Sequence, residues 1–221
     1  MIREAGILPL WPLISSALVA LAILLPSLAT YRWNALRKHR GAQHFFFGSV
    51  VVLSLLWSLQ AGILPGLSFH VMAVTAVTLM MGWRLALLAT LMMQLMLVVS
   101  GKLWWGALGY SYLLSCVMPV LFSYGFYKLV YRRLSHNPFI YILIAGFLNA
   151  GMTHAFSDVL QSLALWQLGI HSFNAIWHDY LRYLPMMMFP EGVVNGMFVS
   201  GMVVFHSRWL STFDEDSYFG E

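Results

Sequence analysis

Long apolar runs, separated only by short polar intervals, decide what this chain can fold into. Seven can be read, at 7–30, 45–64, 67–81, 83–100, 104–131, 139–166 and 180–206. All but the third approach the ~20 residues that a helix needs to cross the hydrocarbon core of a bilayer. Charged residues make up 9% of the sequence, against about 25% in a soluble domain, so most of the chain must lie in lipid. The expected fold is all-α, a polytopic membrane protein of about seven transmembrane helices forming one integral membrane domain over 1–221. The single cysteine, Cys116, lies inside an apolar run and excludes both an intrachain disulfide and a thiolate metal cluster.

Basic residues set the orientation. With the N-terminus outside, the inner loops hold Arg32, Arg37, Lys38, Arg40, Arg84, Lys128, Arg132, Arg133 and Arg208, and the outer side keeps Arg3, Lys102 and Arg182. Nine against three fits an N-out, C-in chain with an odd number of crossings. In a membrane protein the net charge of +4 reports this asymmetry, and no nucleic-acid partner is expected. The first run resembles a signal peptide, but it is long enough to span and is followed by the basic segment 32–40, so it is expected to remain as a helix.

The third and fourth runs read as a hairpin around Met81-Gly82-Trp83-Arg84. The third is short, which places its opening residue, His70, below the membrane surface, where irregular backbone must be covered by protein or line a cavity. An imidazole at the mouth of an uncharged membrane segment marks a ligand, ion or proton site unless a backbone carbonyl satisfies it. In the N-out topology His154, Asp158 and Glu191 also fall in the outer half. His154 and Asp158 are four apart and share a helix face. They are either a self-satisfied pair or, with His70, part of a metal site, in which the carboxylate fixes the imidazole's tautomer and Glu191 is a possible further polar group. Glu191 follows Pro190 near a helix start and could pair instead with Arg182. The outer loop adds His171 and His178 as possible further polar groups of the site. His39, His44, His136 and His206 sit among basic residues at the inner face and read as interface anchors. Imidazole suits nickel, cobalt, copper and zinc. The fourteen methionines, among them Met92, Met93, Met96 and the run Met186-Met187-Met188, leave Cu(I) open, although methionine is also a flexible filler of apolar cores. Gly192-x-x-x-Gly196-x-x-x-Ser200 permits close helix approach, either within the bundle or to a partner subunit.

The stretch Gly66-Leu67-Ser68-Phe69-His70, the hairpin Met81-Gly82-Trp83-Arg84-Leu85-Ala86, Gln94, and Gly106-Ala107-Leu108-Gly109 together resemble the CbiM/NikM family. Pro190-Glu191-Gly192 is similar to an acidic-glycine motif in the last helix of that family. Its members are the substrate-binding membrane components of energy-coupling factor transporters for cobalt and nickel. The resemblance implies a bacterial inner-membrane protein that works with a separate coupling membrane subunit and ATPase subunits. It also implies a metal held at the outer ends of the helices by a histidine at the second position and by the histidine of the S-x-H element. His70 matches the second of these, whereas Ile2 stands where the family has the first. On this resemblance the Met1 amine remains a nitrogen donor, and His154, His171 or His178 is left to compensate. The ion is expected as transported substrate, with no covalently bound cofactor.

Two other classes compete. A haem- or metal-dependent membrane enzyme would use the paired histidines and carboxylates, but no HExxH, CxxCH or nucleophile elbow is present. A membrane scaffold would need the polar residues only for structure. The chain carries no Walker motif with which to hydrolyse ATP.

Overall fold

The computed structural model describes residues 2, 6–31, 33 and 40–219. Its helices are α1 (Leu10–Ala29), α2 (Arg40–Ser58), α3 (Val74–Val99), α4 (Trp105–Arg133), α5 (Pro138–Gln167), α6 (Phe173–Asp179), α7 (Leu184–His206) and α8 (Glu215–Phe219). A two-stranded antiparallel hairpin, β1 (Ala61–Leu64) and β2 (Leu67–Phe69), lies between α2 and α3. The fold is all-α apart from this hairpin, which corrects two sequence boundaries. The second run is helical only to Ser58, and the third only from Val74. The reason is the cluster Gly62, Pro65 and Gly66: glycine and proline interrupt a helix despite the apolar neighbours.

Among the described residues, six helical segments are long and apolar enough to cross a membrane, and one of them, α3, is two limbs. A straight helix of 26 residues would be about 39 Å long. Both ends of α3 nevertheless meet the same turn of α2. Trp57 Nε1 donates to the Met72 carbonyl at 3.0 Å, and Lys102 Nζ donates to the Ser58 carbonyl at 3.2 Å. The chain turns back at Gly82, which has φ 77 and ψ 162, a region essentially closed to residues with a Cβ. The short limb, 74–81, runs inward from His70 and ends where the C-terminal segment crosses under it: Ser211 N–H donates to Met80 O at 2.8 Å. The long limb, 83–99, returns outward. The hairpin expected around Gly82 is therefore present.

The passes pack with their apolar outer faces bare. Leu18, Leu25, Leu55, Phe139, Met197 and Phe205 are exposed, as lipid-facing side chains should be. The buried interior includes many polar residues, among them Thr78, Gln94, Asn149 and Asn195. The small-residue stripe of α7 packs inside the bundle. A Cβ on Gly192 would meet the Phe147 carbonyl at 3.1 Å, and one on Gly196 would meet Phe147 Cβ at 3.1 Å, so glycine lets α7 lie directly on α5. Among the described basic residues, Arg40, Arg84, Lys128, Arg132, Arg133 and Arg208 sit toward the end of the bundle that holds Gly82. Lys102 and Arg182 lie at the His70 end. That distribution fits an N-terminal end facing outward.

Candidate functional site

Where β2 ends, the chain descends into the bundle without regular structure until Val74. His70 opens this descent. Its ring packs edge-on against Trp57 with centroids 4.4 Å apart. Nδ1 lies 3.4 Å from the Ser68 carbonyl, and Nε2 is buried without a hydrogen-bond partner. The Ser68 hydroxyl donates to Gln60 Oε1 at 2.9 Å, and the Tyr180 hydroxyl reaches the Ser68 carbonyl at 3.4 Å. Phe69 stacks on Tyr180 at 4.6 Å, so β2 is gripped on both faces. Burial, followed by the positive charge of nearby His154, pushes the pKa of His70 down to about 3. The ring is neutral at physiological pH, the state in which imidazole binds a metal.

The residues after His70 would leave backbone donors exposed at the start of the short limb, because the first N–H groups of any helix lack an intrahelical partner. In lipid such groups must find acceptors. Here α7 supplies them. Glu191 Oε2 accepts from Met72 N at 2.7 Å and Oε1 from Ala73 N at 2.8 Å. One turn further along α7, Asn195 Oδ1 accepts from Ala76 N at 2.8 Å. Asn195 Nδ2 also donates to the Glu191 carbonyl at 2.7 Å and to Oε1 at 2.8 Å, fixing the carboxylate in place. These charge-assisted bonds hold Ala73 in the left-handed region at φ 52 and ψ 15, a conformation that costs a residue with a Cβ about 1–2 kcal/mol.

His154 completes the buried cluster from α5. Its Nε2 is 3.2 Å from Asp158 Oδ2, and its Nδ1 is 3.7 Å from Glu191 Oε2. All three side chains are at most 4% exposed. Neither contact is aligned as a hydrogen bond, since both ring nitrogens and Asp158 Oδ2 lack an aligned partner. They are close charge contacts across the α5–α7 interface.

His154, Asp158 and Glu191 lie in contact with one another, and His70 lies at the end of β2 against Trp57, so these residues do different things. Glu191 spends both oxygens on backbone N–H groups. Its alternative partner, Arg182, turns away to the Tyr183 hydroxyl at 2.8 Å. His154 faces the two carboxylates. Among the described residues, no three His, Cys, Asp or Glu side chains are arranged to hold a metal ion. The two loop histidines make their described contacts elsewhere. His171 Nε2 lies 2.8 Å from the Pro65 carbonyl and ties the outer loop to the β-turn. His178 is exposed on α6, because the buried side of that short helix is taken by Ile176. Met1 lies outside the described residues. Ile2 is buried at 4% exposure, its carbonyl accepting from Trp104 N at 3.0 Å. It packs beside Gly66 as an apolar residue. Of the methionines singled out in the sequence, Met93 is in the core, while Met96 and Met186 are exposed. Sequence reasoning missed Asn195 and Trp57. Asn195 had a signal, since it stands one helical turn after Glu191.

The sequence matches the family described as the cobalt uptake substrate-specific transmembrane region over residues 4–209. No curated protein sequence matches the chain. Two crystal structures share its fold. One, of a truncated transition metal transporter, is 16% identical with a TM-score of 0.66, covering 93% of this chain and 97% of that one. The other, of a transition metal transporter, is 16% identical with a TM-score of 0.63, covering 94% and 93% respectively.

Proposed function

The chain belongs to the cobalt uptake substrate-specific transmembrane family, and we propose that it captures a divalent transition-metal ion, nickel or cobalt, at its outer face through His70. The single observation that carries this reading is the buried His70 ring with Nε2 turned to no protein partner. An imidazole of this kind replaces a water of the hydrated ion, and nitrogen donors suit nickel and cobalt. The Met1 amine is a second donor in this reading. Glu191, His154 and Asp158 stand behind the loop and do not ligate. The short limb of α3, which begins four residues after His70 and ends at Met81, marks the inward route. Movement along it requires a rearrangement driven by a separate coupling membrane subunit and ATPase subunits, in a bacterial inner membrane.

The test is titration of purified full-length protein with nickel(II), cobalt(II) and copper(I). Replacing a direct ligand, His70→Ala, should weaken nickel or cobalt binding beyond the ~100-fold that loss of an outer-shell partner can cost. Equal affinity in wild type and mutant would retire His70 as the ligand. A preference for copper would transfer the proposal to that ion. Absence of binding in the wild type would leave a scaffold as the better reading.

A further inference from the structure

We propose that Glu191 is the positioning residue for the His70 metal ligand, acting through the Met72 peptide; the inference rests on His70 binding the metal. Met72 is held at both of its backbone groups by different helices. Its N–H donates to Glu191 of α7 at 2.7 Å, and its carbonyl accepts from Trp57 Nε1 of α2 at 3.0 Å. The Trp57 ring that makes the second contact is the ring against which His70 packs at 4.4 Å. The chain between His70 and Val74 has no regular hydrogen bonding of its own, so these outside anchors set where the imidazole points. The next residue, Ala73, stays at positive φ while Glu191 Oε1 holds its N–H at 2.8 Å. Asn195 prevents the carboxylate from swinging away.

This arrangement calls for a carboxylate. Here each of two neighbouring N–H donors is met by its own oxygen of one side chain. An amide offers only one and would turn its own NH₂ toward the second donor. Glu191→Gln therefore keeps the size of the side chain and splits the anchor. The Met72–Ala73 segment then relaxes toward ordinary φ, and the His70 ring leaves its place against Trp57. The effect on metal binding passes entirely through His70.

That requirement is tested by a double-mutant cycle. Nickel(II) is titrated into purified full-length wild type, Glu191→Gln, His70→Ala and the double variant. Glu191→Gln should weaken binding about 10–100-fold, as loss of a residue that orients a ligand does. The double variant should bind no more weakly than His70→Ala alone, because the anchor has nothing left to orient. Ala73→Gly placed in the Glu191→Gln background should recover part of the loss, since glycine adopts positive φ freely. Should Glu191→Gln fail to fold, Asn195→Ala carries the same cycle with a smaller effect. The proposal is overturned if the Glu191→Gln and His70→Ala losses multiply in the double variant, or if Glu191→Gln binds as the wild type does. Wild-type affinity in His70→Ala is a different failure: it removes His70 as the ligand, and the positioning role goes with it.

Discussion

The short limb of α3 is closed at its two ends by opposite kinds of chemistry. At the outer end a carboxylate and an amide from one helix, Glu191 and Asn195 of α7, take the N–H groups of Met72, Ala73 and Ala76. At the inner end the free groups are carbonyls, and the C-terminal segment meets them with a backbone N–H and a hydroxyl. Ser211 N donates to Met80 O at 2.8 Å and Thr212 Oγ1 to Leu79 O at 2.7 Å. Around that contact stand Tyr127, Tyr141, Phe213 and Tyr218, with the Tyr141 hydroxyl 2.7 Å from Thr212 Oγ1. The difference follows from what a broken helix leaves open. Its N-terminal donors attract negative charge, and here they meet a carboxylate; its C-terminal acceptors favour positive charge in general, but here neutral groups meet them. The outer end is therefore sensitive to charge and the inner end to shape.

Stability should separate the two ends most strongly. Glu191→Ala removes the acceptor of two buried N–H groups and leaves His154 beside a single carboxylate. Stripping one partner from a buried charged network costs about 3–5 kcal/mol. Tyr141→Phe at the inner end removes one neutral hydroxyl contact and keeps the ring, so it should cost about 1 kcal/mol. Thermal unfolding in detergent, followed by loss of monodisperse protein, measures both. Equal losses would show that the outer end is not governed by charge. Gly82→Ala falls between them. A Cβ at Gly82 would find its nearest neighbour, Ser211 Oγ, at 3.5 Å, so there is room for the atom. The backbone conformation is the obstacle, with a cost of about 1–3 kcal/mol. A neutral Gly82→Ala in the same assay would mean that the turn between the limbs is not held at positive φ.

Much of this organisation was legible in the sequence. The spacing of apolar runs and the distribution of Arg and Lys fixed seven passes and their order, because lipid forces length and charge into a simple pattern. The Gly82 hairpin was legible because glycine between two apolar runs had few other uses. Of the four residues His70, His154, Asp158 and Glu191 expected in one half of the membrane, His154, Asp158 and Glu191 are in contact. Their division of labour was hidden. That Glu191 is spent on backbone depends on the chain being non-helical from His70 to Ala73, and an apolar run of residues such as Val71, Met72 and Ala73 gives no sign of it. The same blindness made β1 and β2 read as helix. Trp57 was invisible for another reason: an indole in an apolar run reads as lipid-facing or core, and only the packed structure aims its N–H at Met72.

The smallest expected effect concerns pH, and it sharpens the comparison because it is confined to one end. Burial holds the His70 pKa near 3, below the ~6.5 of histidine in an unfolded chain. Between those values the unfolded chain takes up a proton that the folded chain refuses, so His70 makes folding less favourable as pH falls through about 6.5. The ring itself stays neutral until pH approaches 3, so the proposed metal ligation by His70 is not lost in this window. At the inner end burial pushes the Tyr218 phenol up to about 12, leaving that ring uncharged across the same window. The check is the ratio of nickel affinities, wild type over His70→Ala, measured at pH 7.5 and pH 5.5. Taking the ratio cancels donors that titrate in both proteins and isolates His70. The ratio should stay the same. A fall of about tenfold, as protonation with an ordinary pKa near 6.5 would produce, would show that the imidazole is open to water and is not held in the Trp57–Met72–Glu191 frame.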